Sequence, residues 1–201
     1  VDIGKLTVGE LLESIAAREP VPGGGAVAAL TTALAAALGR MVVEFSRGKT
    51  SAGHEALHAE ALATLSRLQS AAVELADADA AAFAKLAELW KLKRDDERRR
   101  SQWPDAVAAA IDAPRRVMVA ALEALDLLER ISETTGANIR SDLAISALLA
   151  QAGAEAAACN VRINLPLVED CAGAQRLEAE TAETLDQAAR LRSAVDQACR
   201  S

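Results

Sequence analysis

The chain has 201 residues and a net charge of −7, and it contains 48 Ala and 26 Leu against two Phe, two Trp and no Tyr. Sheets favour β-branched and aromatic residues while helices favour Ala and Leu, so this composition excludes a sandwich or barrel and predicts an all-α protein. At 51% hydrophobic and 25% charged residues the chain is too apolar to be disordered, and its acidic balance excludes a non-specific binder of nucleic-acid phosphates.

Thr7 is expected to cap a first helix that runs to Ala17. Glu10 completes a capping box, and Val8, Leu11, Leu12 and Ile15 recur at helical spacing. A second helix starts at Gly23-Gly24-Gly25 and runs to about Phe45; small and apolar on nearly every face, it should be central and buried. Its longest apolar run, Ala26 to Leu38, is too short and too Ala-rich for a bilayer span. A third helix is expected over about Ser51 to Trp90, with Leu57, Leu65, Leu68, Ala72, Leu75, Phe83, Leu86 and Trp90 in one arc. Asp79 is the one acid within that arc, and a carboxylate facing a core must be paired, hydrogen-bonded or protonated.

Residues 91–101 read as a charged connector, with Arg98, Arg99 and Arg100 solvated in a loop or helix start. Trp103 begins a helix that Pro114 is expected to break or kink, and the helical pattern resumes from Val117 to Ile131. Ser132 to Arg140 form a loop, Ser141 caps a helix over about Asp142 to Asn164, and Ala174 to Arg200 form a last amphipathic helix. No repeat or composition shift divides the chain, so the expected architecture is one domain over residues 1–201, a bundle of six or seven helices.

Three widely spaced cysteines, Cys159, Cys171 and Cys199, and an N-terminus without an apolar signal segment point to a reducing cytoplasm.

His54-Glu55-Ala56-Leu57-His58 satisfies the helical zinc pattern H-E-x-x-H. Glu60 follows where metalloprotease helices stay apolar, Gly53 puts the motif at a helix start, and no third His exists, so packing or hydrogen bonding is the better reading and no metal is expected. Pro20-Val21-Pro22-Gly23-Gly24-Gly25 opens a helix whose bare backbone N–H groups could receive an anion or a carbonyl oxygen; a tight turn between packed helices explains it equally well. Asn138-Ile139-Arg140-Ser141-Asp142 and Asn160-Val161-Arg162-Ile163-Asn164 occupy the two ends of one helix. Asp142 and Asn160 share a face but lie ~27 Å apart at 1.5 Å per residue. One small pocket cannot hold both; if both ends contribute to one site, two copies of the helix lie antiparallel across a dimer axis, or else the ligand is long.

Taken in order, the Pro-Val-Pro-Gly-Gly-Gly start, Ser46-Arg47-Gly48-Lys49, Asp77-Ala78-Asp79 with Phe83, Asn138-x-x-Ser141-Asp142 and Asn160 to Leu165 resemble the formiminotetrahydrofolate cyclodeaminase and methenyltetrahydrofolate cyclohydrolase family. The resemblance implies an all-helical homodimer with a folate site near the subunit interface, acting without a metal and with no cofactor beyond its tetrahydrofolate substrate. It implies Asp79 as the acid–base group, Asp142 as the next candidate, and Lys49 on the glutamate carboxylates of the folate or an oxygen of the intermediate. Substrate contacts would come from Pro22, Gly23, Gly24, Gly25, Asn138, Ser141, Asn160, Arg162 and Asn164. The chain departs from the family pattern at Lys49-Thr50-Ser51, Leu92-Lys93-Arg94, Ala137 and Ala144. The expected activity is hydrolysis of methenyltetrahydrofolate to 10-formyltetrahydrofolate, with ammonia release from formiminotetrahydrofolate as the alternative and a non-catalytic helical dimer as a further one. With so few rings in the chain, recognition of the folate is expected to rest on backbone amides, Asn side chains and carboxylates. Trp90, ~16 Å beyond Asp79 by helical rise, is the aromatic to inspect first.

Overall fold

The structure, a computed structural model, describes residues 2–47 and 53–200. These form six α-helices, α1 Val8–Ala16, α2 Gly24–Ser46, α3 Glu55–Trp90, α4 Glu97–Ile131, α5 Arg140–Asn164 and α6 Cys171–Arg200, with short 3-10 turns and no strand among the described residues.

The Ala-rich α2 lies at the centre, against α3 on one side and α5 on the other. It is long and apolar enough to cross a membrane, longer than its apolar run suggests, but its apolarity serves the core: Ala28, Ala29, Ala35, Ala36, Val42 and Val43 are fully buried. Small residues let α5 approach closely. A Cβ at Gly153 would overlap the Thr32 hydroxyl, and the Ser146 hydroxyl donates to the Ala35 carbonyl at 2.8 Å. Backbone contact thus replaces side-chain interdigitation at this crossing. The larger apolar residues fill two clusters. One gathers Leu65, Leu68, Leu125, Leu128, Ile131 and Leu143. The other, around Leu75, Leu86, Leu89, Ile111, Val117 and Val161, underlies the candidate site. Each buried Leu or Ile stabilises by about 1.5–3 kcal/mol relative to exposure.

The capping box is present, with Thr7 N–H donating to Glu10 at 2.8 Å and Glu10 N–H to the Thr7 hydroxyl at 3.2 Å. The apolar stripe of α1 packs only in part: Leu11 is half-buried against a core cluster, while Val8 and Leu12 are exposed and no α1 residue is fully buried. The third helix starts at Glu55, four residues later than expected.

The largest departure is α4. It is one continuous helix of 35 residues that begins inside the expected connector, capped by the Asp96 side chain, and runs through both Pro104 and Pro114 without the expected break. Proline removes the N–H that would bond the carbonyl four residues earlier. At Pro114 that carbonyl belongs to Ala110, and the Asn164 side-chain amide of α5 donates to it at 3.1 Å. The lost backbone bond is replaced from a neighbouring helix, which local sequence cannot reveal.

Ser141 is not the cap of α5. The helix starts two residues earlier, at Arg140, after 3-10 turns at Ser132–Thr134 and Ala137–Ile139, and the residue at the cap position, Ile139, has no side-chain bond to give. α6 starts at Cys171, three residues before the expected Ala174.

Candidate active site

A cavity of about 400 Å³ opens where the glycine turn meets three helices. Pro20, Val21 and Gly23 to Gly25 form one wall, Asp79, Phe83 and Trp90 of α3 a second, and Asn160, Ile163 and Asn164 of α5 a third, with Ala110 and Leu167 closing it. A mostly apolar cavity of this size with a few convergent polar groups suits a small organic ligand.

Gly23 occupies the N-cap position of α2 and has no side chain with which to cap it. Asp79 supplies the missing acceptor from α3 by taking the backbone N–H of Ala26. A Cβ at Gly25 would overlap the Asp79 carboxylate, so only glycine permits this approach. Burial pushes the Asp79 carboxyl above its ordinary value, and the Ala26 N–H opposes that shift without cancelling it. The result is a carboxyl held at a helix N-terminus inside an apolar cavity, with its acidity moved toward the range where a group can both take and return a proton.

The two asparagines are held by their own amides. Asn160 donates to the Ala156 carbonyl at 3.1 Å, and Asn164 donates to Ala110 at 3.1 Å and to the Asn160 carbonyl at 2.9 Å. Asn164 thus has both amide hydrogens engaged and offers a ligand its carbonyl oxygen, whereas Asn160 keeps one N–H as well as its carbonyl oxygen.

Among the residues expected at the site, Gly23, Gly24, Gly25, Asp79, Asn160 and Asn164 line this cavity. Pro22 is buried in the turn and does not line it. Asn138, Ser141 and Asp142 stand at the other end of the 25-residue α5 and take no part in its lining. Arg162 points to α6, where it grips Glu178 at 2.9 to 3.2 Å. Lys49 lies outside the described residues. Of the Asp77-Ala78-Asp79 motif, Asp77 serves the fold by accepting the Ile3 N–H at 3.1 Å.

The aromatic side of the site differs from the expectation. Phe83 and Trp90 sit on the apolar arc of α3 but are not core residues; both are partly exposed and line the cavity. Phe83 lies edge-on to Trp90 at 6.2 Å between ring centroids, and Trp90 lies edge-on to Trp103 of α4 at 6.1 Å. Three of the four aromatic residues in the chain are therefore gathered here, so scarcity in the composition is not scarcity at the site. Phe83 follows Asp79 by one helical turn and Ile163 follows Asn160 by three residues, so both were legible as neighbours. Ala110 and Leu167 reach the cavity only through the packing of distant segments.

The zinc-like motif is used differently. His54 is at the N-cap of α3 and Glu55 turns back to accept the Gly53 N–H. His58 is buried, with Nε2 2.8 Å from the Thr134 hydroxyl, whose own proton goes to the Ile131 carbonyl. Nε2 therefore carries the hydrogen and donates it, and Nδ1 faces the core without a partner. Among the described residues no group of three or more His, Cys, Asp or Glu is placed to hold a metal.

A helical bundle that brings a desolvated carboxyl, a glycine-rich helix start and two oriented amides into one aromatic-walled cavity has the makings of an acid–base site for a flat, polar substrate. Residues 7–183 match the formiminotransferase-cyclodeaminase family model, and the chain belongs to that family. It is 30% identical over 177 residues to a methenyltetrahydrofolate cyclohydrolase of Methylorubrum extorquens, covering 86% of this chain and 85% of the relative. It is 28% identical over 181 residues to the formimidoyltransferase-cyclodeaminase of Gallus gallus, covering 88% of this chain and 33% of that much longer protein. The crystal structure of formiminotetrahydrofolate cyclodeaminase from Thermotoga maritima superposes with a TM-score of 0.90 at 26% identity, covering 98% of both chains.

Proposed function

We propose that the chain hydrolyses 5,10-methenyltetrahydrofolate to 10-formyltetrahydrofolate, with Asp79 as the acid–base group. The observation that carries this reading is the Asp79 carboxyl, desolvated yet anchored by Ala26, in a cavity walled by Phe83 and Trp90. The methenyl carbon bridges two nitrogens in a cationic amidinium. A carboxylate beside it attracts that charge and takes a proton from the attacking water as the C–O bond forms. The tetrahedral carbinolamine then breaks its bond to N5, which receives a proton as the formyl group forms on N10. Water and one carboxylate suffice, with tetrahydrofolate as carrier and no further cofactor. Cation–π contact with Phe83, one helical turn from Asp79 in the same lining, would add to the preference for the charged ring. Turnover is read by loss of methenyl-folate absorbance, and a wild-type rate in Asp79→Asn would remove Asp79 from this role.

The close superposition on a cyclodeaminase favours a second reading, in which N10 attacks a formimino carbon and the same group protonates the departing ammonia. Ammonia release from formimino-folate, measured beside methenyl hydrolysis, separates the two.

The reading extends to a homodimer. Val27, Leu34 and Phe45 on α2 and Ile145 and Leu148 on α5 are exposed apolar residues on two helices that pack together. An antiparallel pairing of two such faces would bring the Asn138–Asp142 end of one copy toward the glycine turn of the other. Activity regained on mixing Asp79→Asn with Asp142→Asn protein would support a shared site; two independently dead variants that stay dead on mixing would oppose it.

A further inference from the structure

A second cavity of about 520 Å³ adjoins the first, sharing Trp90 and Leu167 with it, and is lined further by Arg94, Arg99, Arg100, Trp103, Pro166 and Glu169. The Arg98–Arg100 run is the helix start that the sequence suggests, with Arg94 and Arg100 exposed to solvent and Arg99 half-buried. Arg99 is fixed in place: its Nη1 donates to the Leu92 carbonyl at 2.7 Å and its guanidinium lies over the Trp103 ring at 4.7 Å. Arg98, between them in sequence, pairs with Glu88 at 3.2 Å and does not line the cavity. Arg94 and Arg100 make no ion pair among the described residues. In a chain of net charge −7, where most arginines are matched by a carboxylate, three cations around one cavity with only Glu169 to offset them are a concentration of unspent positive charge.

We infer that the Arg94, Arg99 and Arg100 cavity receives the carboxylates of the glutamate tail of the folate. This rests on the proposed function, which places the reacting carbon beside Asp79. From Asp79 to Trp90 is 11 residues of helix, ~16 Å, so a ligand extended along α3 passes Phe83 and Trp90 and emerges at the arginines. The aminobenzoyl ring lies along the aromatic wall, and the tail meets guanidinium groups, whose planar forks match carboxylates. Glu169, the one carboxylate in the lining, repels an anionic tail and leaves the arginines as its partners.

The test compares methenyltetrahydropteroate, which lacks glutamate, with methenyl-folates carrying one and three glutamates, in wild-type protein and in Arg94→Ala/Arg100→Ala. The expected result is a wild-type KM that falls as glutamates are added. The double variant should raise KM for the triglutamate about tenfold, the worth of one charge-assisted contact, with kcat little changed. The difference should shrink at high salt. Arg98→Ala, paired outside the cavity, serves as the control and should retain the preference. An equal KM for the three substrates in wild-type protein, or an unchanged preference in the double variant, would overturn the inference. Binding of γ-linked triglutamate alone, followed by calorimetry, reads the cavity without turnover. Binding that the double variant loses supports it even if the proposed reaction fails, and no binding, or binding that the variant keeps, counts against it.

Discussion

Asn164 and Pro114 are coupled through a carbonyl that neither owns. The proline leaves the Ala110 carbonyl without its helical donor, and the Asn164 amide supplies one at 3.1 Å. One interaction lets α4 run on as a single rod and fixes the orientation of an asparagine that lines the cavity. Asn164→Ala is expected to cost about 1–3 kcal/mol of stability in urea titration, since it orphans that carbonyl. In a Pro114→Ala background, where a backbone N–H returns, the same change should cost measurably less. Equal costs in the two backgrounds would break the proposed link.

Gly25 is required by contact with Asp79. Gly25→Ala should lower activity sharply and destabilise by about 1–3 kcal/mol, because the added methyl displaces the carboxylate from the Ala26 N–H. Gly9→Ala on exposed α1, with nothing near the new methyl, should be neutral or stabilising in the same thermal melt.

Asp79 links activity to pH in a defined direction. Its carboxyl lies above the ordinary range in the folded protein, so the native state holds the proton more tightly than the unfolded one. The stability cost of ionising it is absent below the unfolded value, grows as pH rises through the folded value, and is full above that. Asp79→Asn should therefore gain stability relative to wild type as pH rises from about 4 toward 7. If ionised Asp79 is the base, kcat/KM should rise with pH through an upward-displaced carboxyl value. Parallel stability curves for the two proteins would show that Asp79 is not perturbed.

His58 runs the opposite way. Burial, its largest influence, lowers its basicity, so the unfolded chain binds the proton more readily. Its contribution to stability is complete above about pH 6.5 and declines as pH falls from there toward the folded value. His58→Gln should flatten that limb of the stability–pH curve, and added zinc should leave the melting temperature of wild-type protein unmoved because Nδ1 is sealed in the core.

Arg162 should matter little to the substrate. Its guanidinium is engaged with Glu178 in a solvent-exposed pair, so Arg162→Ala is expected to leave KM near wild type and to change stability by less than ~1 kcal/mol. A large rise in KM would return Arg162 to the site.

The helical class, the Thr7 cap, the central burial of α2 and the placement of Asp79 on an apolar arc all follow from the sequence alone. Each depends on residues within a few turns of one another, through propensity, side-chain spacing or the size of Ala and Gly. The order of the Gly23–Gly25, Asp77–Asp79, Asn138–Asp142 and Asn160–Asn164 motifs was likewise legible, and with it the family.

Only the tertiary structure decided which motif members meet. Asp79 caps α2 from another helix, and Asn164 repairs α4 at Pro114. It also decided that Phe83 and Trp90 face a cavity and that Arg94, Arg99 and Arg100 share another. The cross-helix contacts join residues far apart in the chain, 54 for Asn164 and Ala110, where a hydrogen-bond partner or an empty volume depends on how helices cross, and helical periodicity carries no information about that crossing.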